Sequence, residues 1–244
     1  MWKHGKTGGD IESGTSSPLL YPAMSESPEL RWSFIKKIYS ILSLQLLLTV
    51  AIASVVVFVP AVPRYILTSN GGHALFIVIL ITPLIVLCPL YCVRQKHPVN
   101  LILLGIFTVA ISMSVGLSCA LTSGKIILEA AILTAVVVIS LTMYTFWAAK
   151  KGYDFNFLGP FLFGSLTVLI VFGIIQIFFP FGRIGVMIYE GVGAVIFCGY
   201  IVYDTDMLIK RYEYDDYVWA SVSLYLDIIN LFLHLLSLLK AADS

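Results

Sequence analysis

The sequence predicts an all-α integral membrane protein, a bundle of seven transmembrane helices with the seventh helix central. Three observations carry that expectation. The 244-residue chain is 59% hydrophobic and only 12% charged, where a soluble domain carries about a quarter charged residues. Its mean hydropathy is +0.95. Its apolar residues gather into seven runs, each close to the roughly 20 residues that a bilayer-spanning helix needs. Only helices and closed barrels satisfy the backbone within hydrocarbon, and these runs lack the alternation of a barrel strand. The formal net charge of +1 leaves no overall basic or acidic surface, so nucleic acid is not an expected partner.

Residues 1–30 form a different polymer from the rest. Gly, Ser, Pro and Glu dominate from Gly5 to Leu30, with Leu19, Leu20 and Tyr21 the main apolar content. A segment of that composition cannot offset its ordering entropy by burial, and a disordered polar cytosolic tail is expected. It contains no apolar core for a cleavable signal, so the first span is expected to act as an uncleaved insertion signal. The transmembrane domain then occupies 31–244. Its first span covers about 38–59 and ends at Pro60 and Pro63; the second, about 73–93, holds Pro83 and Pro89. The third, fourth and fifth cover about 99–121, 126–148 and 159–179, the last closed by Pro180. The sixth covers about 184–207 and the seventh about 218–239, with the charged turn Lys210 to Asp216 between them.

Lys and Arg orient the bundle. With the N-terminus in the cytosol, Arg31, Lys36, Lys37, Arg94, Lys96, Lys150, Lys151, Lys210 and Arg211 lie inside and Arg64, Lys125, Arg183 and Lys240 lie outside, nine against four. The connections are short, so no extramembrane domain is expected. Cys88, Cys92, Cys119 and Cys198 all fall within apolar runs and read as small hydrophobes rather than as a disulfide or metal framework. Ser112 and Gly116 recur at helical spacing in the third span, a close-packing signal.

Acids inside the apolar runs carry the functional expectation, because an ionised carboxylate in hydrocarbon costs a few kcal/mol or more. In the seventh span, Ser223, Asp227, Asn230, His234 and Ser237 form one stripe at spacings of four and three. In the sixth, Glu190 and Asp204 lie on nearly the same face, and Asp206 lies near the cytosolic mouth. In the fourth, Glu129 sits just inside the outer boundary. Counted from the turn, Asp204 and Asp227 differ in depth by about 6 Å at about 1.5 Å per residue, which helix tilt can remove. Touching carboxyls cannot both ionise cheaply, so the two are expected to titrate as one dyad sharing a proton. Loss of that proton turns attraction into repulsion and opens a place for an oxygen-seeking divalent cation.

The runs Tyr203-Asp204-Thr205 and Leu224-Tyr225-Leu226-Asp227-Ile228-Ile229-Asn230-Leu231-Phe232, with Leu128-Glu129-Ala130 and His97-Pro98-Val99-Asn100, resemble the transmembrane BAX inhibitor motif family, specifically its Lifeguard branch and plant members. The match covers about 31–239, with the same number of spans. The resemblance implies a pH-sensitive calcium leak in endoplasmic reticulum, Golgi or vacuolar membranes, and restraint of programmed cell death. Asp204 and Asp227 fall on the family's aspartate pair, which the resemblance assigns as pH sensor, gate and calcium path. Arg94 falls where a bacterial relative has an arginine that latches onto the sixth-span aspartate; the run Arg94-Gln95-Lys96-His97 reads equally as an orienting flank. Many members have Gln where this chain has Asp206. That extra acid is expected to attract cations or shift the titration of the dyad.

Three rival functions can be weighed on the same residues. A seven-span receptor would place its N-terminus outside, against the charge count. An intramembrane aspartyl protease would pair Tyr203-Asp204 with Gly-x-Gly-Asp, whereas Leu224-Tyr225-Leu226 precedes Asp227. A scaffold acting through partner proteins without ion flux would tolerate substitution of the buried acids. The expectation is therefore a non-enzymatic leak with Asp204 and Asp227 as gate, Arg94 as latch, and Asn230, His234, Ser223, Asp206, Glu190 and Glu129 as auxiliary or pore-lining residues. No tightly bound cofactor is expected; calcium is the permeant ion, and membrane lipids, protons and cell-death regulatory membrane proteins are the expected partners.

Overall fold

The computed structural model describes residues 19–22 and 24–243. Its elements are α1 (Pro28–Phe58), α2 (Ala61–Thr68), α3 (Asn70–Cys92), α4 (Val99–Ala120), α5 (Gly124–Lys150), α6 (Leu158–Phe178), α7 (Arg183–Lys210) and α8 (Tyr217–Asp243), with a 3-10 turn at Tyr214–Asp216. No strand occurs among the described residues. Among the described residues, all the helices except α2 are long and apolar enough to cross a membrane, seven in all. The protein is an all-α, multi-pass membrane bundle.

Most helix ends fall within a few residues of the apolar runs, and the exceptions have physical causes. Helix α1 begins at Pro28, about ten residues before the first run, because Arg31, Phe34, Ile35 and Ile38 are buried along one helical face. The charges of Arg31, Lys36 and Lys37 mask that face in a hydropathy average. Helix α2 forms where Pro60 and Pro63 suggest only a break; both lie at its N-terminal end, where a missing N–H costs nothing. Helix α3 continues through Pro83 and Pro89. Most of the expected polar tail, residues 1–18 and 23, lies outside the described residues. Of the remainder, Leu20 is buried in the main core and Glu26 engages the bundle.

Helix α8 packs against α1, α4, α5 and α7. Its residue Tyr225 is fully buried and its hydroxyl lies 2.8 Å from Thr49 Oγ1 on α1, to which Ser112 of α4 also donates at 3.0 Å. One turn away, Gln45 Nε2 donates to Thr108 Oγ1 at 3.1 Å. Polar groups thus tie three helices together where no hydrophobic drive separates protein from lipid. Gly116 permits the approach: a Cβ there would stand 2.9 Å from Val56 Cβ and 3.1 Å from Ala53 Cα.

The two faces of the bundle are closed by arginines on helix C-termini, whose last carbonyls otherwise lack partners. On the near face, where α1 begins, buried Arg31 donates to Tyr212 O at 2.7 Å and, through Nε, to Glu26 Oε1 at 2.8 Å. Glu26 in turn accepts from the Tyr214 hydroxyl. On the far face, Arg183 donates to Ala241 O at 2.8 Å and Ala242 O at 2.6 Å, and Lys240 donates to Leu121 O at 2.9 Å.

Candidate functional site

Asp204 of α7 and Asp227 of α8 come together. Both lie on helix faces that pack against each other, Asp227 only 5% exposed, and their carboxyl groups interact within hydrogen-bonding reach. Asp227 Oδ2 is buried and meets no N–H or hydroxyl donor among the described residues. Neither acid forms an ion pair with Lys, Arg or His among those residues. Two carboxyls so placed satisfy each other only by holding a proton between them. Tyr200 and Tyr212 lie near the pair. Tyr212, outside the spans, closes it on the near face: burial, and next the negative charge of Asp204, push its phenol above the ordinary value, so it stays a neutral dipole. Its hydroxyl lies 3.5 Å from Ser223 Oγ, at the first position of the α8 stripe.

The remaining candidate residues have other partners. Arg94 Nε donates to Asp216 Oδ1 at 2.7 Å, in the turn before α8, rather than to Asp204, and its guanidinium stacks over Tyr91 at 4.6 Å. Asp206 is 1% exposed, pairs with Lys210 Nζ at 2.5 Å, and accepts from Phe155 N at 3.1 Å. It pins the connection between α5 and α6 to the end of α7. Asn230 Nδ2 donates within α8 to Leu226 O at 2.8 Å. Glu190 lies 2.6 Å from His234 Nδ1, toward the far face, and the His234 ring stacks on Phe197 with centroids 5.4 Å apart. Gly193 makes room for that ring, since a Cβ there would stand 2.5 Å from it. Glu129 is exposed beside Lys125 at 3.8 Å, an interfacial arrangement.

Sequence reading missed the phenols around the dyad and the Gln45, Thr49, Thr108, Ser112 and Tyr225 knot. The knot had a signal: Gln45 and Thr49, like Thr108 and Ser112, are polar pairs four apart inside apolar runs. No group of three His, Cys, Asp or Glu side chains able to hold a metal occurs among the described residues.

The connection beneath Asp206 has its own pH dependence. The Asn156 N–H, donated to Asp154 Oδ1 at 2.9 Å, outweighs burial and, with the charges of Arg211 and Lys210, holds Asp154 below the ordinary aspartate value of 3.8. A depressed folded value stabilises the loop above the unfolded value and loses that contribution as pH falls through the folded one, hence below about pH 4. Amide-exchange protection of residues 153–157 is expected to fall severalfold across that window and to become flat in Asp154→Asn. An identical pH profile in the variant would remove Asp154 as the cause.

Comparison with known proteins adds a family to this geometry. A family model described as inhibitor of apoptosis-promoting Bax1 matches residues 31–244. The chain is 68% identical over 236 residues to Protein LIFEGUARD 4 of Arabidopsis thaliana, covering 96% of both chains. It is 37% identical over 219 residues to Protein lifeguard 4 of Mus musculus, covering 90% of this chain and 89% of the relative. It is 36% identical over 219 residues to the Golgi anti-apoptotic protein of Vaccinia virus strain Lister, covering 90% of each.

Proposed function

The chain belongs to the family of inhibitors of apoptosis-promoting Bax1, in its Lifeguard branch, and from that premise we propose that it restrains cell death as a proton-gated calcium leak in intracellular membranes. A cell-death-regulating membrane protein accords with the family description and with the anti-apoptotic name of the viral relative. That relative's name also supports a Golgi location among endoplasmic reticulum, Golgi and vacuole. The charge count supports a cytosolic N-terminus, which makes the near face cytosolic.

The observation that carries the gate is the carboxyl pair of Asp204 and Asp227, side by side without a cationic partner among the described residues. With one proton between them the pair clamps α7 to α8. When the proton leaves, two charges about 4 Å apart repel by about 4 kcal/mol at an effective dielectric of about 20, enough to separate helix faces held by packing. The vacated space offers oxygens to a calcium ion. Arg94, on Asp216, braces the turn into α8. A latch on Asp204 would require its exchange from Asp216 in another state of the gate.

Calcium flux through purified protein in liposomes, followed across pH for the native chain, Asp204→Asn and Asp227→Asn, tests this. An amide mimics the protonated partner, so each variant is expected to lose the pH response and to stay near the low-pH flux, a change of tenfold or more at alkaline pH on the repulsion given above. Equal flux and equal pH response in all three would sink the gate. Absent flux with intact cell-death restraint in both variants would favour a partner-binding scaffold. Peptide cleavage abolished by either substitution would instead indicate an aspartyl protease.

A further inference from the structure

A cavity of about 670 Å³ runs between α1 and α4 on the near face, lined at its mouth by Lys37, His97 and Tyr217 and at its depth by Gln45, Leu101 and Gly105. Its volume falls within the roughly 300–1,000 Å³ of ligand sites. It is unrelated to the dyad, which lies between α7 and α8. Lys37 is exposed, with its ammonium 3.2 Å from the centroid of the Tyr217 ring, and His97 is exposed opposite. The nearby acid Asp216 is already paired with Arg94. The mouth therefore presents positive charge at the level of lipid headgroups, while the walls below it are apolar and open to acyl chains.

The depth holds a second, independent signal. Gln45 is 4% exposed, and its Oε1 has no hydrogen-bond partner among the described residues. The amide orientation follows from chemistry: Thr108 spends its one proton on Leu104 O at 2.8 Å, so its oxygen must accept from Gln45 Nε2, leaving Oε1 as a free acceptor. A buried acceptor without a donor costs about 1–3 kcal/mol. Gln45 lies eight residues below Lys37, about 12 Å along the helix. Its Oε1 is covered as the side chain stands, so a ligand anchored at Lys37 meets it once the amide turns toward the groove.

We propose that this groove binds an anionic lipid that carries a hydroxyl or amide N–H donor beneath its headgroup, the chemistry of a phosphorylated ceramide. The phosphate sits between Lys37 and His97, one chain lies along Leu101 and Gly105, and the donor meets Gln45 Oε1. A diacyl lipid of equal charge offers only ester acceptors at that depth and leaves Gln45 unsatisfied. Charge at the mouth selects for the anion; the amide selects for the donor.

Native mass spectrometry of the full-length protein, challenged with ceramide 1-phosphate, diacyl phosphatidic acid and diacyl phosphatidylcholine of matched chain length, tests both selections. Retention is expected in that order, with steps of about fivefold to tenfold for each lost polar contact. Lys37→Ala with His97→Ala should level phosphatidic acid with phosphatidylcholine, and Gln45→Leu should level ceramide 1-phosphate with phosphatidic acid. Gly105→Leu is the fold-preserving block: a Cβ at Gly105 meets nothing within 4 Å, so a side chain can enter the groove from there without displacing backbone. It should reduce retention of all three lipids with a melting temperature no lower than that of the native protein. Equal retention of the three lipids by the native chain would mean bulk lipid only and would overturn the site, as would retention indifferent to Gly105→Leu. A dimer abolished by Gly105→Leu, without lipid selectivity, would assign the groove to a second copy instead.

Discussion

Arg31→Ala is expected to destabilise the protein by about 3 kcal/mol, at the low end of the roughly 3–5 kcal/mol for breaking a buried ion pair. The low end applies because Glu26, its partner, keeps 26% of its side chain exposed while that of Arg31 keeps only 5%. The loss has two sources. Glu26 is stranded beside Tyr214, and the Tyr212 and Leu208 carbonyls at the end of α7 lose the guanidinium that caps them. Glu26→Gln removes only the charge and should cost about 1 kcal/mol, the ordinary net worth of a hydrogen bond. Arg31→Lys should recover little, since an ammonium lacks the planar fork that reaches carboxylate and carbonyls together. Thermal unfolding in detergent orders the set as native, Glu26→Gln, then Arg31→Lys and Arg31→Ala; coincident midpoints for native and Arg31→Ala would refute the cap. Because Arg31 holds the backbone of Tyr212, whose side chain closes the dyad, the same variant should raise calcium flux at neutral pH if the gate operates as proposed.

What could be read from the sequence follows from how each kind of information is stored. The seven spans were legible because hydrocarbon thickness imposes a length and a composition on every one of them. The stripe on α8 was legible because helical spacing alone places Ser223, Asp227, Asn230 and His234 on one side. Which neighbour each residue meets is a different matter, since a helical wheel gives a direction but no partner. Glu190 shares a face with Asp204, yet it pairs with His234, because Gly193 lets the imidazole lie against α7. Arg94 lies at the right level for Asp204 but engages Asp216, a closer carboxylate in the turn. Asp206 read as a free acid at a mouth; Lys210 one turn later and the Phe155 N–H neutralise it. The start of α1 was hidden for the opposite reason: Arg31 looks like a boundary in a hydropathy average and is in fact buried.

Two glycines eleven residues apart on α4 allow the packing account to be tried within a single helix. At Gly116 an added Cβ meets Val56 Cβ at 2.9 Å and Ala53 Cα at 3.1 Å, and the latter is backbone, which cannot rotate away. Helix α1 must move bodily, so Gly116→Leu is expected to cost about 3 kcal/mol, the upper end of the range for overpacking, and Gly116→Ala a smaller amount of the same sign. At Gly105 nothing lies within 4 Å of the added atom, so Gly105→Ala should stabilise by about 0.5–1 kcal/mol through helix propensity alone. The sign difference is the measurement, read as opposite shifts of the unfolding midpoint; two shifts of the same sign would contradict the close approach of α1 and α4. Displacing α1 also draws Thr49 away from the Tyr225 hydroxyl. Tyr225 and Asp227 are two residues apart, about 200° around α8, so one faces α1 and α4 while the other faces α7. Loosening the first contact removes the backing against which α8 presents Asp227 to Asp204, and Gly116→Leu is therefore expected to weaken the proposed clamp as well as the fold.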